Sequence, residues 1–304
     1  MTRLDDTLKV ALEGGDPRPF FSELERVSGM PGPRPNLLLL KSIGASIARG
    51  GADGRALSDR LLMEKSQPLF QTGVYAIAHL TAKKGLKGAA FDVLHDLADD
   101  SVKERRDAVA DALADVVAAV GDEAARQLVR FTDGFLHAHV ALEALTQERS
   151  LARLSTADEI VARFAEAFDL SDNATRAADR SQGLRVLRES MPTQIARAVP
   201  RFGELVSFLE ERTTRERPET REVVAKTISA LRRVIGESRA DRLRAQLTAF
   251  RDGTREHEMM SIVASSLTDQ QIADLAAWYA GHRVTARLEG DPGGAPASCV
   301  SCHG

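Results

Sequence analysis

The chain reads as an all-α protein, and three observations carry that reading. Ala, Leu, Arg, Glu and Asp recur throughout its 304 residues while only 5% are aromatic. Unbranched side chains of this kind lose little rotamer freedom in a helix. Apolar residues return at three-and-four spacing in one segment after another, and no segment alternates at period two for long enough to make a strand.

Residues 1–35 are expected to hold short N-terminal helices. NLLLLKSIGASIARGG then forms an apolar helix ended by Gly50-Gly51, and ALSDRLLME another. In QPLFQTGVYAIAHLTAKKG the residues Phe70, Gly73, Val74, Ile77 and Leu80 fall on one buried face. GLKGAAFDVLHDLADD repeats the idea with Ala90, Val93, Leu94 and Leu97, after a break at Gly85. The rhythm changes over 150–215. STADEIVARFAEAF predicts a helix opened by a Ser/Thr cap with an acidic residue three positions on. Pro192 suits a helix start, and Pro200 is expected to kink or divide the segment after it.

Two segments overlay without a gap: RDAVADALADVVAAVGDEAARQL at 106–128 and REVVAKTISALRRVIGESRADRL at 221–243. Arg106 falls on Arg221, Val109 on Val224, Ala110 on Ala225 and Leu113 on Ile228. Gly121 falls on Gly236, and both helices are expected to end there. One helix pair cannot bury its own apolar face, whereas stacked pairs can. With Asp99 and Asp100 ahead of Arg105-Arg106, the unit resembles a HEAT-type repeat over roughly 36–250. That resemblance implies helical hairpins stacked as a right-handed solenoid, assigned to 36–237, with a surface for a protein partner.

From 238 to 283 the chain resembles the second half of a class I c-type cytochrome of the two-domain bacterial kind. Leu243, Gln246, Leu247, Phe250, Arg251, Gly253 and Arg255 match that family's leucine–glutamine–leucine helix running into Phe-Arg-x-Gly-x-Arg. Met259-Met260 match its methionine ligand loop, and Ile262–Leu267 its short helix. Leu267, Thr268, Asp269, Leu275, Ala276, Trp278 and Tyr279 match its closing helix. Independently, Thr268 with Gln271 is a capping box, and Ile272, Leu275, Ala276 and Tyr279 form an apolar stripe. The resemblance implies Met260 as an axial ligand of haem iron, with Met259 the second candidate. Read without it, the two methionines fill a gap in a core.

The linker 284–304 ends in Cys-Val-Ser-Cys-His-Gly, the spacing that attaches haem c through two thioethers. Cys299 and Cys302 would carry those bonds and His303 would be the proximal ligand. The order is reversed relative to the family, in which attachment precedes the methionine. Three explanations stay open: a second cytochrome domain cut short, a permuted site in which the terminus folds back to Met260, and a relic that binds nothing. As a zinc site the motif supplies three ligands where four are needed, with His282 a candidate fourth. The leading expectation is therefore a haem-binding electron-transfer protein with a docking region and a redox partner. The alternative is a protein-binding α-solenoid scaffold carrying a truncated or idle cytochrome segment.

Other features exclude function classes. A formal charge of −3 offers no global basic field for nucleic acid. No run of 18 apolar residues predicts a membrane span. The N-terminus lacks the apolar core of a secretory signal, which predicts the cytoplasm, or the periplasm if haem is covalently attached. HEMM at 257–260 lacks the second histidine of a zinc-protease motif. His137 and His139 lie two apart on a helix and so cannot share a metal. Arg176, Arg180, Arg185 and Arg188 read as a solvated face or a groove for acidic groups. No nucleophile or paired-carboxylate motif stands out, so no enzyme is expected.

Overall fold

The structure is a computed structural model that describes residues 3–214, 218–256 and 258–280. Among these there is no β-strand, and the fold is an all-α solenoid. The helices are α1 Arg3–Leu12, α2 Arg18–Val27, α3 Leu37–Arg49, α4 Gly51–Leu62, α5 Gln67–Lys84, α6 Ala89–Leu97, α7 Lys103–Val120 and α8 Asp122–Gln127. After a 3-10 turn at Leu128–Asp133 come α9 Phe135–Leu145, α10 Glu148–Leu151, α11 Asp158–Asp172, α12 Gln182–Ala198, α13 Glu204–Thr213, α14 Pro218–Arg251, α15 Glu258–Ser265 and α16 Asp269–Ala280. By packing, the chain divides into two units, 1–231 and 232–304, with α14 running across the division.

In the first unit α3, α5, α7, α9 and α12 pack one on the next as a continuous layer, with α4, α6 and α11 lying behind it. The sequence pattern explains the arrangement but understates it. Phe70, Val74, Ile77 and Leu80 are buried as expected, yet so is every residue from Pro68 to Ala78. The helix α5 is covered by α3, α4, α6 and α7 at once, which is why its small residues Gly73, Ala76 and Ala78 are as necessary as its large ones. In α7, too, Ala108, Ala110, Ala112 and Ala114 are buried, letting flanking helices approach closely.

Buried arginines fasten successive hairpins. Arg106 is 2% exposed, and its guanidinium donates to the carbonyls of Asp100 and Ser101 at 2.7 and 3.0 Å. Arg163 donates from α11 to the Arg126 carbonyl at 2.9 Å. Arg212 donates from α13 to the Ala165 carbonyl at 3.1 Å and pairs with Asp169 at 2.5 Å. The Asp100, Ser101 and Arg126 carbonyls lie in a turn or at a helix end, where helix carbonyls run short of partners, whereas Ala165 lies inside α11 and its carbonyl takes Arg212 as an additional donor.

Several expectations need correction. Gly121 does end α7, with φ of +80° and its N–H on the Val117 carbonyl at 2.7 Å. Its overlay partner Gly236 lies inside α14, which continues to Arg251. A glycine in a helix interior costs about 1 kcal/mol relative to alanine, too little to stop an otherwise favourable helix. The overlay fails in burial as well. Arg106, Ala110 and Leu113 are buried between α5 and α9, whereas Arg221, Ala225 and Ile228 are exposed. Pro192 sits in the interior of α12 and is buried rather than opening a helix. Pro200, as expected, divides the segment, lying in the turn between α12 and α13. No Ser/Thr side chain caps α11; Ala157 precedes it, and the Ser155 N–H is taken by Asp122 at 2.9 Å.

Candidate functional site

On the helix layer of the first unit, α7, α9 and α12 each turn a polar row outward. On α7 the row is Asp107, Asp111 and Asp115, four residues apart and therefore on one face. Lys41 of α3 reaches Asp111 and Asp115 at 2.9 and 2.8 Å. Arg149 of α10 reaches the same two carboxylates from the other side at 2.6 and 2.7 Å. Beneath them the buried Tyr75 hydroxyl donates to Asp111 at 2.7 Å and accepts from Gln71 at 2.8 Å. On α9 and α12 the Arg197 guanidinium makes a two-pronged contact with Glu143 at 2.8 and 2.6 Å, and Gln194 donates to Glu143 at 3.0 Å. His139 Nδ1 stands 2.8 Å from the Ser190 hydroxyl.

These partners set the protonation states. Burial alone would raise the Asp111 carboxyl, but hydrogen bonds from Tyr75, Lys41 and Arg149 outweigh it and hold it below the usual range. Glu143 follows the same logic, with Arg197 and Gln194 overcoming its burial. Burial, and then the charge of Asp111, push the Tyr75 phenol upward, so it stays a neutral donor. Burial lowers His139, which favours the neutral imidazole. The result is a face whose charges are locked in pairs across helix boundaries. Nothing in the local sequence singles out the rows on α7 and α9. Their partners on other helices lie 34 to 74 residues away, beyond the reach of any local motif.

The second unit contains the cytochrome-like segment. Phe250 is buried with the Arg255 guanidinium 4.9 Å from its ring centre, and Arg251 pairs with Asp269 at 2.5 Å. The capping box is present: the Gln271 N–H donates to the Thr268 hydroxyl at 3.2 Å, and the Thr268 N–H donates to the Gln271 side chain at 2.9 Å. Of the expected stripe Ile272 and Ala276 are buried, but Tyr279 is exposed. Met259 and Met260 fall in the first turn of α15 and not in a loop, because that helix already starts at Glu258, ahead of the short helix expected at Ile262–Leu267. Met259 is 66% exposed and Met260 half-buried. Cys299, Cys302 and His303, with His282 and the linker, lie outside the described residues.

His137 and His139 do diverge, as their spacing requires. His139 turns to Ser190 of α12, while His137 turns to His95 of α6. Arg188 is tied to Ser171, donating to its hydroxyl and carbonyl at 2.9 and 3.0 Å; Arg176, Arg180 and Arg185 are exposed. No helix among the described residues is long and apolar enough to cross a membrane.

No family model matches the chain, and no curated protein matches it. Among solved structures, one titled "computationally designed armadillo repeat proteins for modular peptide recognition" is similar over 75% of this chain and 99% of that one, at 17% identity and a TM-score of 0.32.

Proposed function

We propose that the first unit is a protein-binding α-solenoid scaffold, and that the outward face of α7, α9 and α12 docks a segment of a partner polypeptide. One observation carries this: consecutive helices turn polar rows the same way and cross-link them by ion pairs, giving a surface already ordered before a partner arrives. Preorganisation of this kind lowers the entropy cost of association. Carboxylates and cations on the face are balanced, so the segment it fits is polar with charges of both signs. Among the described residues Asp107 pairs with the exposed Lys103 on its own helix, and such a pair is worth about 0–1 kcal/mol. It exchanges readily for a partner's lysine or arginine. In this reading the chain is a binding protein and not an enzyme.

The test is capture from the native source, followed by reconstitution of the complex from two purified components. Asp107→Arg and Thr193→Arg, on the face, are expected to weaken the complex at least about tenfold, or 1.4 kcal/mol. Asp59→Arg and Asp96→Arg, on the helices behind, are expected to leave it unchanged. Equal loss with both sets, or with neither, would overturn the assignment.

A second reading is favoured by the second unit, where Met259, Ile262, Val263, Trp278 and Tyr279 are all exposed apolar residues. Leu267, Leu275, Trp278 and Tyr279 line a depression of about 590 Å³ there. Such a surface and a thioether at Met260 suit haem c held by Cys299, Cys302 and His303. Bound haem supplies one-electron chemistry and would bring a redox partner and an export requirement. The helical placement of the methionine pair fits this less well than the loop the family uses. An absorption spectrum with intact mass, from a host with cytochrome maturation machinery, tests it. A haem-sized mass gain lost on Cys302→Ala supports the reading, and an unmodified, colourless chain beside a working control cytochrome sinks it.

A further inference from the structure

The geometry points to a divalent metal site of the zinc class, formed by His95, Asp133 and His137, that clamps the hairpin of α6 to the helix α9. The three residues come from different elements: His95 from α6, Asp133 from the end of the 3-10 turn, and His137 from the first turn of α9. Asp133 bridges the nitrogen edges of the two rings. Its carboxylate oxygens are 3.0 and 3.2 Å from His95 Nε2, and Oδ1 is 3.1 Å from His137 Nδ1. One ligand atom from each residue falls within 4.8 Å of the others. In a tetrahedral zinc shell with bonds of about 2.0–2.1 Å, neighbouring ligand atoms stand about 3.3 Å apart. The separations of Asp133 from each histidine are a few tenths of an ångström from that, and the two histidine nitrogens lie within 4.8 Å of each other.

Three further observations favour a ligand over a simple polar contact. Both ring nitrogens of His137 are buried, and neither makes a hydrogen bond among the described residues, although Asp133 Oδ1 stands 3.1 Å from Nδ1. A buried polar atom left this way costs about 1–3 kcal/mol, which a metal bond would remove. Gly134 permits the arrangement, since a Cβ there would lie 2.5 Å from His137 Nδ1. Asp96 stands 3.6 Å from His95 Nδ1, on the ring edge away from the site, where metal-bound histidines commonly have an outer carboxylate.

Two imidazoles and one carboxylate suit zinc, with water completing the shell. The rings stack at 4.1 Å and 14°, so binding requires a modest rotation of one of them about its side-chain torsions. The site differs from the terminal Cys-x-x-Cys-His motif and does not depend on the docking reading. A cation there would tie two successive hairpins together without altering the outward face.

The experiment is a calorimetric zinc titration of the full chain carrying Cys299→Ser and Cys302→Ser, which takes the terminal thiols out of the measurement. One equivalent of zinc is expected to bind and to raise the thermal midpoint. His137→Gln is expected to weaken binding by more than the roughly 10–100-fold that loss of an outer-shell partner costs, with the helical signal unchanged. Should that variant fail to fold, His95→Gln and Asp133→Asn carry the same expectation from outside α9. Cobalt(II) should give visible tetrahedral bands that vanish in the same variants. An absence of saturable binding, or binding that survives all three substitutions, would overturn the assignment.

Discussion

Arg106 shows what a single residue does in this fold. Its position after Asp99 and Asp100 is legible in the sequence, and the structure supplies the reason: a buried fork donating to two turn carbonyls. Arg106→Met keeps the bulk but orphans those carbonyls, and is expected to cost about 2–3 kcal/mol in denaturant unfolding. His139 makes the complementary case. Burial lowers its folded value below the ordinary 6.5, so the unfolded chain binds more protons as the pH falls below that point. The contribution of His139 to stability is therefore complete above the ordinary value and is lost as the pH drops through it. His139→Asn keeps an acceptor near Ser190 but removes the titration. The variant is expected to show a shallower loss of thermal midpoint between about pH 7 and pH 5. A slope equal to that of the native chain would show that His139 is not a buried titrating group. In the sequence His139 is only one of two histidines that cannot share a metal; Ser190, its partner, lies on α12, 51 residues on.

At the scale of the element, helix type is legible almost everywhere because apolar periodicity and glycine stops are local signals. The ends are less so. Gly121 and Gly236 occupy the same place in the overlay, yet one takes a positive φ and the other is crossed by α14. Sequence pattern cannot separate them, because what decides is whether tertiary packing rewards continuing the helix. The two glycines therefore respond oppositely to alanine. Gly236→Ala should raise stability by about 0.5–1 kcal/mol, and Gly121→Ala should lower it by about 1–2 kcal/mol. Destabilisation by Gly236→Ala would mean that α14 breaks there after all. Pro192 misleads for a related reason. Proline is costly inside a helix, but this one is fully packed within α12, where burial of its ring offsets part of the penalty.

For the whole molecule, the stacked-hairpin architecture comes from one argument, that a single amphipathic pair cannot bury its own face. The outward ion-paired face does not, because it joins Lys41, Asp111, Asp115, Glu143, Arg149 and Arg197 from five helices. Those joins are properties of the stack and have no local spacing. The same holds for His95 and His137, 42 positions apart in the numbering and brought ring to ring by the turn before α9. Of the two local capping motifs read in the sequence, the Thr268–Gln271 box forms as read, whereas the Ser/Thr cap ahead of α11 does not. As a consequence of the stack, Glu143→Ala should leave the Arg197 charge without its partner and cost about 1–3 kcal/mol. In a double-mutant cycle with Arg197→Ala the two losses should be strongly non-additive; simple additivity would mean the pair is not coupled.

The most direct test of the docking claim is site-specific photocrosslinking of the full chain in its native source. Photoreactive residues are placed in turn at Asp107 and Thr193 on the outward face, and at Asp59 and Asp96 on the helices behind. The account predicts one and the same partner protein crosslinked from Asp107 and Thr193, and none from Asp59 or Asp96. A partner captured from the rear positions alone, or from all four equally, would contradict the outward face as the docking surface.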